Sequence, residues 1–313
     1  MNKRKAFTPL ETMLTRISLR GNRWLLTGFT IVELLTSIVI IALLLGLLLP
    51  SIAMVRKMAK ETAQKAQFST IDTALEAFKQ DYGDYPPSDW PDPPKNDYCG
   101  AQKLAEALLG WDLMGFNPKS AWRANGWDNL NVNVVYSNTD ANLRDRRGPY
   151  LEVAKTSAYR IGDLFSTYLP LDPCTFVLCD VFGAKKVSRQ ITTTQTIIST
   201  AGTPILYYKA NTSSKSMISP GTNTRIYDCA DNLPIIHLGK LPNGGKHKLE
   251  TQNGDYSTVG GLYFYNPDYK IIDEKIYSAS GGTQLWPHRP DTYILISAGA
   301  DHEFGTNDDI LNF

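Results

Sequence analysis

The amino-acid sequence predicts an α+β protein in which a long N-terminal helix packs on an antiparallel β-sheet. Three observations predict it: an uncharged apolar run at residues 34–55, an amphipathic pattern that continues it, and short β-rich segments towards the C-terminus. The chain has 313 residues, a formal net charge of +1 and an ordinary hydrophobic content of 42 %. Near-neutral charge argues against a nucleic-acid-binding protein, because such proteins carry a basic face that neutralises phosphates.

The apolar run at residues 34–55 predicts a membrane span. As a helix it reaches roughly 33 Å, which is enough to cross a bilayer core of about 30 Å. Basic residues are more numerous before the run than just after it, so the N-terminus is expected to stay cytoplasmic and the rest to be exported. Gly46 and Pro50 lie inside the run, and proline removes a helix hydrogen bond. We therefore expect a kink or local melting between them.

Residues 56–82 continue the helix as an amphipathic segment. Four apolar residues recur at spacings of three and four, with polar residues between them: Phe68, Ile71, Leu75 and Phe78. Alanines favour the helix, and Gly83 followed by two prolines ends it. The apolar stripe is expected to face a globular head formed by residues 83–313.

The head is expected to contain an antiparallel sheet. Aromatic and β-branched residues predict strands at 205–209, 262–265 and 293–297, with a further hairpin at 187–198 and a polar loop at 211–224. Residues 88–160 are rich in Trp, Asn, Asp and Pro and hold one predicted helix, at 101–114. This segment is interpreted as an insertion between helix and sheet, in which the Trp side chains are core or loop anchors.

The residues before the apolar run carry a processing signature, the sequence TGFTIVELL at positions 27–35. It resembles the prepilin peptidase motif of type IV pilins and type II secretion pseudopilins. The resemblance implies a leader at residues 1–28, cleavage between Gly28 and Phe29, N-methylation of Phe29 and a transmembrane helix at 29–55. Met1 and Met13 are both possible starts, and either leaves the motif intact.

Glu33 stands out on physical grounds, because a carboxylate at the edge of an apolar span is costly without a partner. Cleavage would create an α-amine at Phe29, one helical turn away. The resemblance implies that Glu33 pairs with the N-terminal amine of a neighbouring subunit and sets the axial register of a filament. The alternative is a carboxylate that extends to the membrane interface.

Two parts of the head also resemble the pseudopilin family. The turn DYGDYP at residues 81–86 resembles the turn that follows this helix in the major pseudopilin. The segments 180–183 and 202–208 resemble a split version of that family's Asp-x-x-Gly-x-Pro hairpin. Together with the N-terminal motif, they imply a pilin-like fold with a large insertion.

The C-terminal segment 296–313 is a candidate cation site. Oxygen-bearing side chains alternate around Gly305, and hard cations such as Ca²⁺ bind six to eight oxygens. The segment resembles the calcium loop of the major pseudopilins. That resemblance implies five ligand candidates: the carbonyl of Ala298, Asp301, Asn307, Asp309, and Asp308 as a possible substitute. The alternative is a solvated acidic loop that binds nothing.

The head contains four cysteines: Cys99, Cys174, Cys179 and Cys229. If the head is exported, disulfides between them are plausible, with three possible pairings. The alternative is four reduced thiols. A single C-x4-C pair is weak evidence for zinc.

These observations predict a non-enzymatic structural subunit of a filament. The four histidines are dispersed, and the common hydrolase, metalloprotease and phosphate-binding motifs are absent from the sequence. The calcium-loop resemblance favours a pseudopilin of a type II secretion-like system, anchored in the bacterial inner membrane with its head in the periplasm. Its expected partners are copies of itself, other pseudopilins or pilins, the prepilin peptidase and an inner-membrane assembly platform. A type IV pilin, major or minor, is the alternative, and a membrane-anchored enzyme or binding protein is the alternative from another class.

Overall fold

The computed structural model describes residues 30–90, 98–128, 134–153, 156–167, 169–183, 185–190, 196–213, 226–239, 247–251, 264–271 and 284–313. The chain divides into two compact units, Met1–Ala53 and Met54–Phe313. The described helices are α1 Ile31–Tyr82, α2 Gly100–Leu109, α3 Asp140–Asp145, α4 Ile161–Leu164, α5 Leu233–Leu238 and α6 Lys248–Thr251, with a 3-10 turn at Cys229–Asn232. The described strands are β1 Ala158–Arg160, β2 Phe176–Leu178, β3 Lys185–Gln190, β4 Thr196–Ala201, β5 Leu206–Lys209, β6 Tyr265–Ile271, β7 Gln284–Pro287, β8 Tyr293–Ser297 and β9 Ile310–Leu311.

In the first unit, residues 31–53 form the first part of α1, and their large apolar side chains lie on the surface. Exposure of these side chains ranges from 38 % at Ile52 to 83 % at Ile31. The helix continues through Pro50, and Ser51 Oγ donates to the Leu47 carbonyl at 3.0 Å. Of the kink or local melting expected near Gly46–Pro50, the melting is therefore wrong, because the helix-favouring leucines around Pro50 keep the backbone helical despite the lost hydrogen bond. The kink stays a prediction.

In the second unit, the later half of α1 buries a single stripe, as its periodicity predicts. The buried side chains are Gln64, Phe68, Ile71, Ala74, Leu75 and Phe78. Four of them, Phe68, Ile71, Ala74 and Leu75, share one core with Tyr207, Tyr293 and Leu295 of a three-stranded antiparallel sheet. Phe78 packs in a separate cluster with Ala107 and Phe116. The strand order in that sheet is β5-β8-β9, with Tyr207 opposite Leu295 and Ser297 opposite Ile310. A long helix and small antiparallel sheets make the fold α+β.

Three tyrosines bind carboxylates of α1 and hold its last turns. Tyr293 donates to Asp72 at 2.7 Å, Tyr85 to Glu76 at 2.5 Å and Tyr150 to Asp81 at 2.6 Å. We refer to these three pairs as the tyrosine ladder. Burial, followed by the bonded carboxylate, raises the pKa of all three phenols well above the ordinary value.

The predicted insertion contributes to the core through α2. All ten residues of this helix are buried, and it contacts β2 and β5. The helix ends at Leu109, earlier than the predicted residue 114, because Gly110 adopts φ +90° and its amide bonds to the Glu106 carbonyl. Trp111 is a loop anchor, as predicted: it stacks on Tyr136 and donates to the Ala124 carbonyl at 2.8 Å.

The remaining strand predictions agree with the structure to different degrees. β8 matches the predicted residues, β5 begins one residue later than predicted, and β3 and β4 form the expected hairpin in a longer version. The strand predicted at 262–265 was placed too early, since β6 is Tyr265–Ile271, and residues 262 and 263 lie outside the described part. Most of the predicted loop at 211–224 also lies outside it.

Candidate functional site

The start of α1 positions Glu33 in its first turn. Thr30 precedes the helix: its Oγ1 accepts the Glu33 amide at 3.2 Å and donates to Glu33 Oε2 at 3.4 Å. This arrangement is a side-chain N-cap, which satisfies a backbone donor that the helix leaves unpaired. It also keeps the carboxylate beside the positive end of the helix dipole. Gly28 and Phe29, the predicted cleavage pair, lie outside the described residues.

Among the described helices, α1 is long and apolar enough to cross a membrane, judged by length and composition. None of its most apolar window is buried within the protein. Exposed leucine and isoleucine on every side of a helix are costly in water, so this surface favours a membrane anchor or a signal segment.

The C-terminal loop folds around two carboxylates. Asp308 Oδ2 accepts the amides of Ala300 and Asp301 at 2.9 and 3.0 Å, and its Oδ1 accepts the Thr306 hydroxyl at 2.6 Å. Asp301 Oδ1 accepts the Glu303 amide at 2.8 Å. The turn depends on Gly299 at φ +68°, where a Cβ would lie 2.2 Å from the Asp308 carbonyl oxygen.

The side chains of Asp301 and Asp308 are neighbours, and their pKa values are shifted in opposite directions. Burial and a hydrogen bond with Asp308 raise the pKa of Asp301. Burial also acts to raise the pKa of Asp308, but the bonds from Thr306, Asp301 and the loop amides outweigh it and lower that pKa. The two carboxyl groups are therefore close enough to share a proton, a position that a cation could take instead.

The structure brings only some of the predicted calcium ligands close to one another. Asp309 Oδ2 accepts the Gly305 amide at 2.8 Å, Asn307 is exposed, and Ala298 is fully buried. Within the described ranges, no group of three or more His, Cys, Asp or Glu side chains is arranged to hold a metal ion. Hard oxygen donors suit Ca²⁺, but only the pair Asp301 and Asp308 converges in this conformation.

Three of the four cysteines are free thiols. Cys99 and Cys179 are completely buried and Cys174 is exposed, so no disulfide joins any two of these three. The expected disulfides are not formed among them: Cys99 is the N-cap residue of α2, whereas Cys179 follows β2, where its backbone pairs with that of Pro204. Burial raises the pKa of Cys99 to about 11 and also holds the pKa of Cys179 well above its ordinary value. The side chain of Cys229 lies outside the described part.

A polar clamp that was not predicted from the sequence attaches α1 to residues 179–182. Lys60 Nζ donates to the Phe182 carbonyl at 2.9 Å, and Gln67 Nε2 donates to the Cys179 carbonyl at 2.9 Å. Gln64 Oε1 accepts the Val181 amide at 3.0 Å. The only sequence signal was that Lys60, Gln64 and Gln67 follow one another at helical spacing, which usually marks a solvated face.

Buried Asp180 organises the other side of that segment. Its Oδ1 accepts the amides of Phe182 and Thr203, each at 3.1 Å, and its Oδ2 accepts the Ser297 hydroxyl at 3.0 Å. A Cβ on Gly202 would lie 2.1 Å from this carboxylate, which explains the glycine there. The contact joins segments 180–183 and 202–208, which are distant in the sequence.

Comparison with known proteins found no matching family model, no curated protein and no solved structure of significant similarity.

Proposed function

We propose that this protein is a structural filament subunit with a pilin-like fold, a pseudopilin of a type II secretion-like system. In this proposal the prepilin peptidase removes residues 1–28, Phe29 becomes the methylated N-terminus, and the head lies in the periplasm. The apolar part of α1 holds the subunit in the inner membrane before an assembly platform moves it into a filament of identical and related subunits.

One observation carries the proposal: a single helix has Glu33 in its first turn, continues as an exposed apolar surface and then buries a stripe of side chains on an antiparallel sheet. An anchor explains the apolar surface, and the N-cap with Thr30 explains how Glu33 is held, but neither gives this carboxylate an oppositely charged partner. A filament subunit explains it, because the carboxylate would meet the new α-amine of Phe29 on a neighbouring copy.

Calcium belongs to the proposal as a cofactor of the C-terminal loop. Asp301 and Asp308 would hold the ion first, with the carbonyl of Ala298, Asn307 and Asp309 brought in as the loop adjusts. The bound ion would supply positive charge between carboxylates that otherwise repel one another. Asp309 would then have to exchange its bond with the Gly305 amide, so the proposal includes a change in loop conformation on binding.

The experiment combines protein processing with assembly. Intact mass of membrane-extracted protein from the native host should give a chain that begins at Phe29, with one added methyl group. Glu33→Gln should insert into the membrane normally but be strongly depleted from sheared filaments. Glu61→Gln is the matched control, since Glu61 lies on the same helix, outside the apolar run, and pairs with Lys57 at 3.8 Å.

Two results would contradict this function. A mature protein that retains residues 1–28 would reject the processing step, and wild-type incorporation of Glu33→Gln would reject the role of the carboxylate. Equal depletion of both variants would point to general disturbance of α1 and would also count against the specific pairing.

A further inference from the structure

Residues 54–58, with the sequence MVRKM, straddle the end of the apolar run of α1. Five consecutive residues cover the full circumference of an α-helix, since one turn takes about 3.6 residues. All five are exposed, and the exposed fraction is 67 % for Met54, 58 % for Met58 and 56 % for the Lys57 side chain. The head therefore leaves this segment, which we call the collar, open around the helix.

The collar carries two positive charges, Arg56 and Lys57, and no acid. No Asp or Glu occurs in the sequence between Leu34 and Lys60. Lys57 pairs with Glu61 in the next turn at 3.8 Å, between side chains that are 56 % and 39 % exposed. Such an exposed pair is weak in water, so the ammonium group stays available to a further anion.

Lys60, the next cation along the helix, is used by the head instead. Its Nζ donates to the Phe182 carbonyl at 2.9 Å and lies 5.9 Å from the centre of the Phe182 ring. Its charge also acts on Asp180 and His302 of the head. The cations that the collar can offer to a partner are therefore its own two.

A membrane interface fits both parts of this composition. Exposed Met54, Val55 and Met58 are costly in water, whereas the boundary between lipid headgroups and acyl chains would bury them. Arg and Lys beside an apolar span extend towards the interface, where their N–H groups can donate to phosphate oxygens. A soluble anion would satisfy the two cations but leave the three apolar side chains in water. Phospholipids with a net negative charge are therefore the partner that the collar fits best.

Lys65 provides an internal reference, because it is exposed on the same helix but lies farther from the apolar run. A helix advances about 1.5 Å per residue, so Lys57 lies about 3 Å beyond Val55 and Lys65 about 15 Å beyond it. The Debye length at physiological ionic strength is about 8 Å. An anionic lipid surface at the end of the run would therefore attract Lys57 strongly and Lys65 little.

We propose that the collar docks on anionic phospholipids: Arg56 and Lys57 bind lipid phosphates, and the three apolar side chains enter the boundary between headgroups and acyl chains. Each basic residue near an anionic surface should strengthen this contact about fivefold. The inference rests on the membrane anchor of the proposed function, and it is independent of leader cleavage and filament assembly.

The experiment compares the full chain in nanodiscs of phosphatidylcholine alone with nanodiscs in which a third of the lipid is phosphatidylglycerol. Lysines are methylated with formaldehyde and an uncharged borane reductant, and the rate at each lysine is read by mass spectrometry with fragmentation to single residues. Lys57 should react about fivefold more slowly in the anionic discs, because an ammonium group bound to phosphate is protected. Lys65 should react at nearly the same rate in both discs. About 1 M NaCl, at which the Debye length falls to about 3 Å, should abolish the difference at Lys57.

Two variants test the shared role of the cations. Arg56→Gln should reduce the difference at Lys57, because one of the two charges that attract the lipid is gone, and Lys65→Gln, the matched control, should keep the wild-type difference. Equal Lys57 rates in the two discs would overturn the inference while leaving the anchor intact, and so would equal slowing of Lys57 and Lys65. An undiminished difference in Arg56→Gln would overturn docking through both cations. A chain that enters neither disc would overturn the anchor and the inference together.

Discussion

Leu75 and Leu45 provide a matched test of how the two parts of α1 are used. Both are leucines on one helix, but Leu75 is completely buried and Leu45 is 49 % exposed. Replacing Leu75 with Ala removes three buried carbon atoms, worth about 0.8 kcal/mol each in transfer free energy, and leaves a cavity between α1 and the sheet. We expect the free energy of unfolding of the head to fall by about 3 kcal/mol. For a unit of this size, that corresponds to a lower melting temperature by roughly 6–12 °C.

The assay is thermal unfolding of the full chain in detergent, followed by tryptophan fluorescence. Five of the six tryptophans lie in the head, so the signal reports on that unit: Trp90, Trp111, Trp122, Trp127 and Trp286. Leu45→Ala should leave the midpoint within about 1 °C of wild type, because its side chain contributes nothing to the core of the head. Equal unfolding midpoints for Leu75→Ala and wild type would refute the packing of α1 on the sheet. An equal fall of the midpoint in both variants would refute the claim that only the later part of α1 stabilises the head.

Two further predictions concern the loop and the buried acid beside it. Ca²⁺ at a hundredfold excess over its dissociation constant should stabilise the wild-type head by about 2.7 kcal/mol and the Asp301→Ala variant much less. The measurement is the melting temperature, with Mg²⁺ as the control. A wild-type melting temperature that Ca²⁺ leaves unchanged would contradict the calcium proposal. Because burial raises the pKa of Asp180 to about 6, the folded protein keeps a proton that the unfolded chain releases near pH 4. The free energy of unfolding should therefore decline from about pH 4 to pH 6, and this decline should be smaller in Asp180→Asn than in wild type. Identical pH profiles in urea titrations of the two proteins would contradict the assignment.

Much of the fold follows from local sequence patterns. The stripe at Phe68, Ile71, Leu75 and Phe78 predicted the buried face of α1, and β-branched and aromatic content located β8. The errors lie where local signals compete. Gly110 ended α2 although the residues after it looked helical, and the leucines around Pro50 kept α1 helical where proline alone predicted melting.

The contacts that organise the head were less accessible from sequence. Asp180 and Thr203 are far apart in the chain, as are Ser88 and Asp231, and each pair meets only because the strands bring the segments together. A local sequence pattern predicts that a carboxylate is exposed. Whether it is buried depends on hydrogen-bond partners that lie elsewhere in the sequence. The C-terminal loop is an intermediate case. Its composition predicted a group of acidic side chains, but the backbone conformation determines that Asp301 and Asp308 are the two that lie close together.

The tyrosine ladder gives the protein an intrinsic optical indicator of helix detachment. The chain has sixteen tyrosines, and the phenols of Tyr85, Tyr150 and Tyr293 resist ionisation because they are buried and bonded to carboxylates of α1. In an alkaline titration these three should ionise after the surface phenols, together with three other tyrosines whose pKa burial also raises, Tyr98, Tyr136 and Tyr207. The part of the late ultraviolet step that is lost on replacing Tyr85, Tyr150 and Tyr293 with Phe would belong to the ladder. That part would report, without any attached label, when these phenols release the carboxylates of α1.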